Sequence, residues 1–108
     1  MQYVLDYPTT EDLLESFPAY IVSEALAERM TAARLRGFAL DDAEVRPGEN
    51  YVALYGNVPH KRYRWLRVTS SSPSDCWLDS EYRLCVSDRM YDVISQHRID
   101  GCDVTKIA

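Results

Sequence analysis

The feature that most constrains this chain is that it says nearly the same thing twice. "IVSEALAERMTAARLRG" ends at Gly37, and "CVSDRMYDVISQHRIDG" ends at Gly101, sixty-four positions later. Between Val22 and Gly37 four positions are identical to their counterparts: Val22/Val86, Ser23/Ser87, Arg34/Arg98 and Gly37/Gly101. Six more are conservative, among them Glu24/Asp88, Leu26/Met90 and Met30/Ile94. At average residue usage about one identity is expected by chance in such a window. A fold for this sequence must therefore offer two equivalent places for one structural unit.

The unit can be read from its residues. Ser23 and Ser87 each stand before an acid and a run with helical spacing. A serine hydroxyl there accepts a bond from an orphan helix N–H, and the acid beside it complements the helix dipole. Leu26, Met30 and Ala33 fall on one face of the first helix; Met90, Ile94 and His97 do so on the second. Gly37 and Gly101 stand where a left-handed residue ends a helix. Apolar extended segments flank both copies, "AYIV" and "FALDDAEV" on the first, "YRLCV" and "CDVTKI" on the second. Each copy thus reads as a β-α-β unit, and parallel flanking strands imply a right-handed crossover.

Around the repeat, "YVLDY" at residues 3–7 suits a first strand. "TTEDLLESFP" reads as a short helix, with Thr9 and Asp12 at capping-box spacing and Pro18 as its stop. "RPGEN" signals a turn, "YVALY" an imperfect strand, "KRYRWLRVTS" a clear strand and "SSSPSD" an exposed loop. The expected fold is α+β: one domain over residues 1–108, with the repeated strand-helix-strand at about 20–45 and 82–107. A mixed or mostly antiparallel sheet is covered by two Ser-capped helices and a short N-terminal one.

Chemical motifs are scarce. No P-loop, dinucleotide fingerprint, HExxH or nucleophile elbow occurs. Cys76, Cys85 and Cys102 lack metal-ligand spacing, and with His60 and His97 they suggest no zinc site. Ser87, Asp88 and His97 invite a catalytic reading, but Ser87 already serves as a cap. Hence no catalytic, cofactor-binding or metal-ligating residue is expected. An odd cysteine count, with neither a signal segment nor an apolar run long enough to span a membrane, points to a reduced, cytoplasmic setting. The net charge of −5 disfavours nucleic acid and anionic lipid, and favours a basic protein partner. The chain has eight tyrosines and two tryptophans, and Tyr51, Tyr55, Tyr63, Trp65 and Trp77 cluster near acids in its central segment, a combination that suits protein contacts. The residues expected to meet a partner are Asp41, Asp42, Glu44, Trp77, Asp79 and Glu81.

"LCVSDRMYDVISQHRIDGCDVTKI" resembles the closing block of a family of bacterial immunity proteins from polymorphic toxin systems. "FPAYIVSEALAERMTAARLRGFALDDAEV" is similar to the block near the start of such proteins, and "YRWLRV" to their middle strand. The likeness covers about residues 17–107 and rests on apolar patterning with one V-S-[DE] motif. It implies an antitoxin that binds a cognate toxin stoichiometrically, without cofactor. Two other readings are a small enzyme that reverses a toxin's modification and a structural, self-assembling subunit. The sequence leaves open whether the chain forms homo-oligomers.

Overall fold

In a computed structural model, residues 2–16, 19–70, 74–100, 102 and 104–106 are described. Nine strands and three helices follow one another among them: β1 (Gln2–Leu5), β2 (Leu13–Ser16), β3 (Ala19–Ser23), α1 (Glu24–Ala32), β4 (Phe38–Asp42), β5 (Glu44–Pro47), α2 (Glu49–Tyr55), β6 (Tyr63–Val68), β7 (Cys76–Leu78), β8 (Leu84–Val86), α3 (Asp88–Ile94) and β9 (Val104–Lys106). They form a four-stranded sheet in the order β2-β3-β6-β4, a three-stranded sheet β7-β8-β9 and a two-stranded parallel pair β1-β5. The domain is α+β, and most strand pairs are antiparallel.

The repeat is larger than its sequence identities. Each copy opens with an antiparallel hairpin, β2-β3 in the first and β7-β8 in the second, and the hairpin runs straight into the capped helix. In the second copy β9 returns parallel to β8 and beside it. In the first copy β6 lies between β3 and β4 and is antiparallel to both. The two β-α-β crossovers are therefore the same device, one of them widened by a strand from the connection between copies.

Alternation explains how the sheets meet the helices. Tyr20, Val22, Leu66, Leu40, Phe38 and Val68 share one face of the four-stranded sheet. That face joins Leu84 and Val86 of β8, Leu26, Ala27 and Met30 of α1, and Met90 and Ile94 of α3 in one apolar cluster. The opposite face carries Ile21 and Tyr63, both buried, and Trp65, Asp41 and Arg67. The Tyr20 hydroxyl accepts the Leu84 N–H at 3.1 Å, tying the two sheets together.

Three expectations are corrected. "TTEDLLESFP" is not a helix: Leu13–Ser16 is β2, in register with Ala19–Ser23, and Phe17 and Pro18 lie outside the described residues. Pairing with the strongly apolar β3 buries Leu13, which a solvent-facing turn of helix would leave half wet. "YVALY" is not a strand but the body of α2, and only Tyr51 of it is buried.

Gly37 does not end α1 either. The helix stops at the Ala33 cap, and Arg34, at φ 57°, takes the left-handed position. The Leu35 N–H reaches back to the Met30 carbonyl at 3.3 Å and the Arg34 N–H to Thr31 at 3.0 Å, a Schellman closure. Gly37 is needed instead for close approach, because a Cβ there would lie 2.7 Å from the Cys76 carbonyl at φ +99°. Gly101 lies outside the described residues, as does the Ser71–Pro73 part of the expected loop.

Arg34 carries an arginine side chain in a conformation glycine adopts freely. Arg34→Gly should raise stability by about 0.5–1 kcal/mol, read from the urea midpoint. A loss of stability would show that contacts of the Arg34 side chain outweigh the backbone strain.

Candidate functional site

The polar centre of each copy is an aspartate placed just before its hairpin. The Asp12 carbonyl accepts the Ser23 N–H at 2.7 Å, and its carboxylate accepts the Ser23 hydroxyl at 2.7 Å. That hydroxyl oxygen in turn accepts the Leu26 N–H at 3.2 Å, which is the helix cap itself. Asp75 repeats the arrangement with Ser87, by backbone and hydroxyl bonds both of 2.8 Å, and Ser87 accepts from Met90 at 3.1 Å.

The second carboxylate oxygen of each aspartate crosses to the other copy. Asp12 receives the N–H of Arg98, beyond α3, at 3.0 Å, and Asp75 receives the N–H of Arg36, beyond α1, at 2.8 Å. A cation completes each cluster: Lys61 on Asp12 and Arg89 on Asp75, both at 2.9 Å. Burial alone would raise the Asp12 carboxyl. The Ser23 hydroxyl, the Lys61 ammonium and the Arg98 N–H outweigh it and hold the pKa down at about 2. Burial likewise opposes Arg89, Ser87 and the Arg36 N–H at Asp75, whose carboxyl also ends below its usual range.

These clusters resemble acid–base machinery only in composition. Ser23 is 2% exposed and its proton points into Asp12, so it is not presented to a substrate. Ser87, Asp88 and His97 are each engaged elsewhere: Ser87 with Asp75, Asp88 with Lys106 at 3.5 Å, and His97 through Nδ1 with Asp12 at 3.5 Å. His60 Nδ1 lies 2.8 Å from the Lys61 carbonyl, and its ring stands edge-on to Tyr51. Cys76 and Cys85 are buried thiols outside any disulfide. Burial, with Asp75 adding to it, pushes the Cys76 thiol up to about 12, and burial raises Cys85. Among the described residues no group of three His, Cys, Asp or Glu side chains is arranged to hold a metal ion.

The six residues expected to meet a partner do not form one patch. Asp41 and Asp42 are successive in β4 and so point to opposite faces. Asp41 pairs with Arg67 at 2.6 Å on the face of Trp65. Asp42, on the face of α1, is fully exposed, and its one ion-pair contact among the described residues is Arg64 at 4.0 Å. Glu44 follows at the start of β5, exposed, with Gln2 as its hydrogen-bond donor at 3.3 Å. The other three residues belong to the β7-β8 hairpin of the second copy. There the Asp79 carboxylate receives the N–H groups of Glu81 and Arg83 and the Arg83 guanidinium. Those bonds make Asp79 the organiser of its own turn. Glu81 pairs with Arg83 at 3.2 Å, and Trp77 is half-buried in β7.

What gathers around Asp42 is a groove between α1 and β4. Two adjoining depressions of about 250 and 240 Å³ share Glu24 and Arg64. Ala27, Thr31 and Leu40 line the first with Glu28; Asp42, Ala43, Val45 and Arg62 line the second. Glu24 and Glu28 are one helical turn apart and exposed, and neither has an ion-pair partner among the described residues. Arg64 turns its guanidinium to the Leu40 and Asp41 carbonyls at 3.0 and 3.4 Å, so it makes no close bond to the carboxylates beside it, and Arg62 lines the second depression with it. Glu24 and Glu28 were not singled out from sequence, because a helix dipole and solvent account for acids at such positions; only the packing of α1 over β4 sets them beside Asp42.

No family model matches the chain, and no curated protein or solved structure matches it.

The depressed Asp12 carboxyl sets an acid limit on stability. Its folded pKa of about 2 lies below the unfolded value of about 3.9, so its contribution is complete above pH ~4 and is lost as pH falls towards 2. That contribution is ~2 kcal/mol. Asp12→Asn should be the less stable protein at neutral pH, and the gap in urea-derived stability should close between pH 4 and 2. A gap that stays constant through that window would show that the Asp12 charge is not what the cluster stabilises.

Proposed function

We propose that this chain is an immunity protein: a cytoplasmic antitoxin that binds a cognate bacterial toxin one to one and neutralises it by covering it. The resemblance of the two V-S-[DE] blocks to immunity proteins of polymorphic toxin systems is the starting point. The observation that carries the reading is the groove over α1 and β4. Glu24, Glu28 and Asp42 line it with Arg62 and Arg64 beside them, over a floor of Ala27 and Leu40, and Glu44 stands exposed just beyond Ala43. A basic toxin finds in that surface an opposite charge to steer its approach and an apolar floor to settle on.

The framework beneath suits a blocker. Hydroxyls and carboxylates that a small hydrolase would present to substrate are here bonded to each other and to helix N–H groups. Of the six residues expected from sequence, Asp42 and Glu44 are retained as contacts. Asp41, turned towards Arg67, and Asp79, holding its own turn, are assigned to the scaffold. Trp77 and Glu81 lie on the second hairpin, outside the lining of the groove.

The test is to capture the tagged chain from its native lysate under conditions that induce toxin expression, then reconstitute the pair. A single protein that binds one to one and kills when expressed alone supports the proposal; turnover of a modified substrate by substoichiometric chain overturns it. With that partner in hand, Glu28→Lys and Asp42→Lys combined should slow association roughly tenfold at low salt, with little change in melting temperature. Asp41→Lys should leave the association rate within about twofold. Equal effects of the two substitution sets, or none from either, would remove the groove as the contact face.

A further inference from the structure

The layer built from β1, β5 and α2 has a thin core. Leu5 and Tyr51 are buried at 4% and 1% exposure, yet Val4, Val52, Leu54, Tyr55 and Val58 are 42–74% exposed. These are five of the seven large apolar side chains exposed among the described residues, so the wet apolar surface is concentrated in one layer. Helix geometry supplies the reason. At 100° per residue, Leu54, Tyr51, Tyr55 and Val52 occupy about 160° of the α2 circumference. The underlying strand, β5, is narrower than that stripe. Tyr51 sits in its centre, with its hydroxyl donating to the Val58 carbonyl, while Leu54 and Val52 form two uncovered shoulders. Val4 extends the surface at the start of the helix, where its side chain packs against Gly48.

Charge decides what covers this ridge. Asn50 to Pro59 contains no charged residue, in a chain that is 27% charged with a net charge of −5. The basic partner suited to the α1-β4 groove gains no Coulomb attraction here. A second copy of the chain, by contrast, is repelled by most of this molecule's acidic surface and meets least repulsion over this uncharged run, which Glu49 borders at the first turn of α2 and Asp6 beside Gly48. We propose that the α2 ridge is a self-association surface. Two copies pair ridge to ridge about a two-fold axis, each supplying Val52, Leu54, Tyr55 and Val58 to an isologous, uncharged contact. A ridge of four side chains on one helix suits a weak, reversible pair, with a dissociation constant on the order of micromolar, rather than an obligate one. Because the ridge is distinct from the groove, this dimer and toxin binding stand or fall separately.

The experiment is sedimentation equilibrium of the full chain without any partner, from ~1 to ~500 µM, a range that brackets micromolar dissociation constants. The expected result is a rise with concentration from the 12.4 kDa monomer towards twice that mass. Leu54→Glu, at a side chain 74% exposed, should stay monomeric throughout and keep the wild-type circular dichroism and melting curve. Val52→Glu on the other shoulder should weaken the dimer as well. A wild-type chain that is monomeric at every concentration overturns the proposal. So does a dimer unaffected by both substitutions, because it would then form through another surface.

Discussion

Two carboxylates, the buried Asp12 and the partly buried Asp75, hold this molecule together. A carboxylate taken out of water is expensive unless each oxygen finds donors. Here one oxygen takes the capping serine's hydroxyl and the other takes a backbone N–H from beyond the opposite helix, with a cation alongside. Each aspartate thereby joins three things: the start of its own helix, the register of its own hairpin and the exit segment of the other copy. The cap serine cannot rotate away, because its proton is committed to the aspartate while its oxygen holds the helix N–H. Helix packing follows, with Arg29 reaching Gln96 at 2.9 Å and Arg89 reaching the Arg34 carbonyl at 2.8 Å across the two helices.

The two copies are equivalent in their polar centres and unequal in their surroundings. Insertion of β6 between β3 and β4 broadens the first copy's sheet and sets β4 under the exposed side of α1, where the acidic groove forms. The second copy keeps the narrow version, with β9 directly on β8. The connection that contributes β6 also contributes α2, and it leaves that helix lying on a two-stranded sheet with its apolar stripe half covered. Duplication thus provides the rigid frame, and the segments between the duplicates provide the surfaces on which the proposed binding depends.

Much of this was legible in the residues, and the exceptions have physical causes. Ser23 and Ser87 announced the two helices because capping is a local interaction between neighbours in sequence. The strand character of Leu13–Ser16 was hidden, since "DLLES" suits either state and only pairing with β3 decides it. The same tertiary partner turned Asp12 from a presumed helix-start acid into the centre of a buried cluster. "YVALY" looked like a strand from its aromatic and branched residues, yet Gly48 and Glu49 open a helix there. Among the candidate contacts, Asp41 and Asp42 were grouped by adjacency, whereas strand parity separates them. Asp79 was taken for a surface acid until three donors were found on its carboxylate. Glu24 and Glu28 gave no signal at all, because their neighbour Asp42 is brought to them by the fold.

The crossed bonds from Asp12 and Asp75 are the central structural claim, and the amides they hold report on them directly. Arg36 and Arg98 are exposed residues outside any helix or strand, so their N–H groups have no other cause for protection. Native-state hydrogen exchange followed by NMR should show both amides slowed to near the rate of the core amides of α1 and α3. The Arg98 amide alone should be released when Asp12 is replaced by alanine under conditions where the fold persists. Exchange of Arg36 and Arg98 at the rate of open loops in the wild-type protein would contradict the account, because the two carboxylates would then not be what ties one copy to the other.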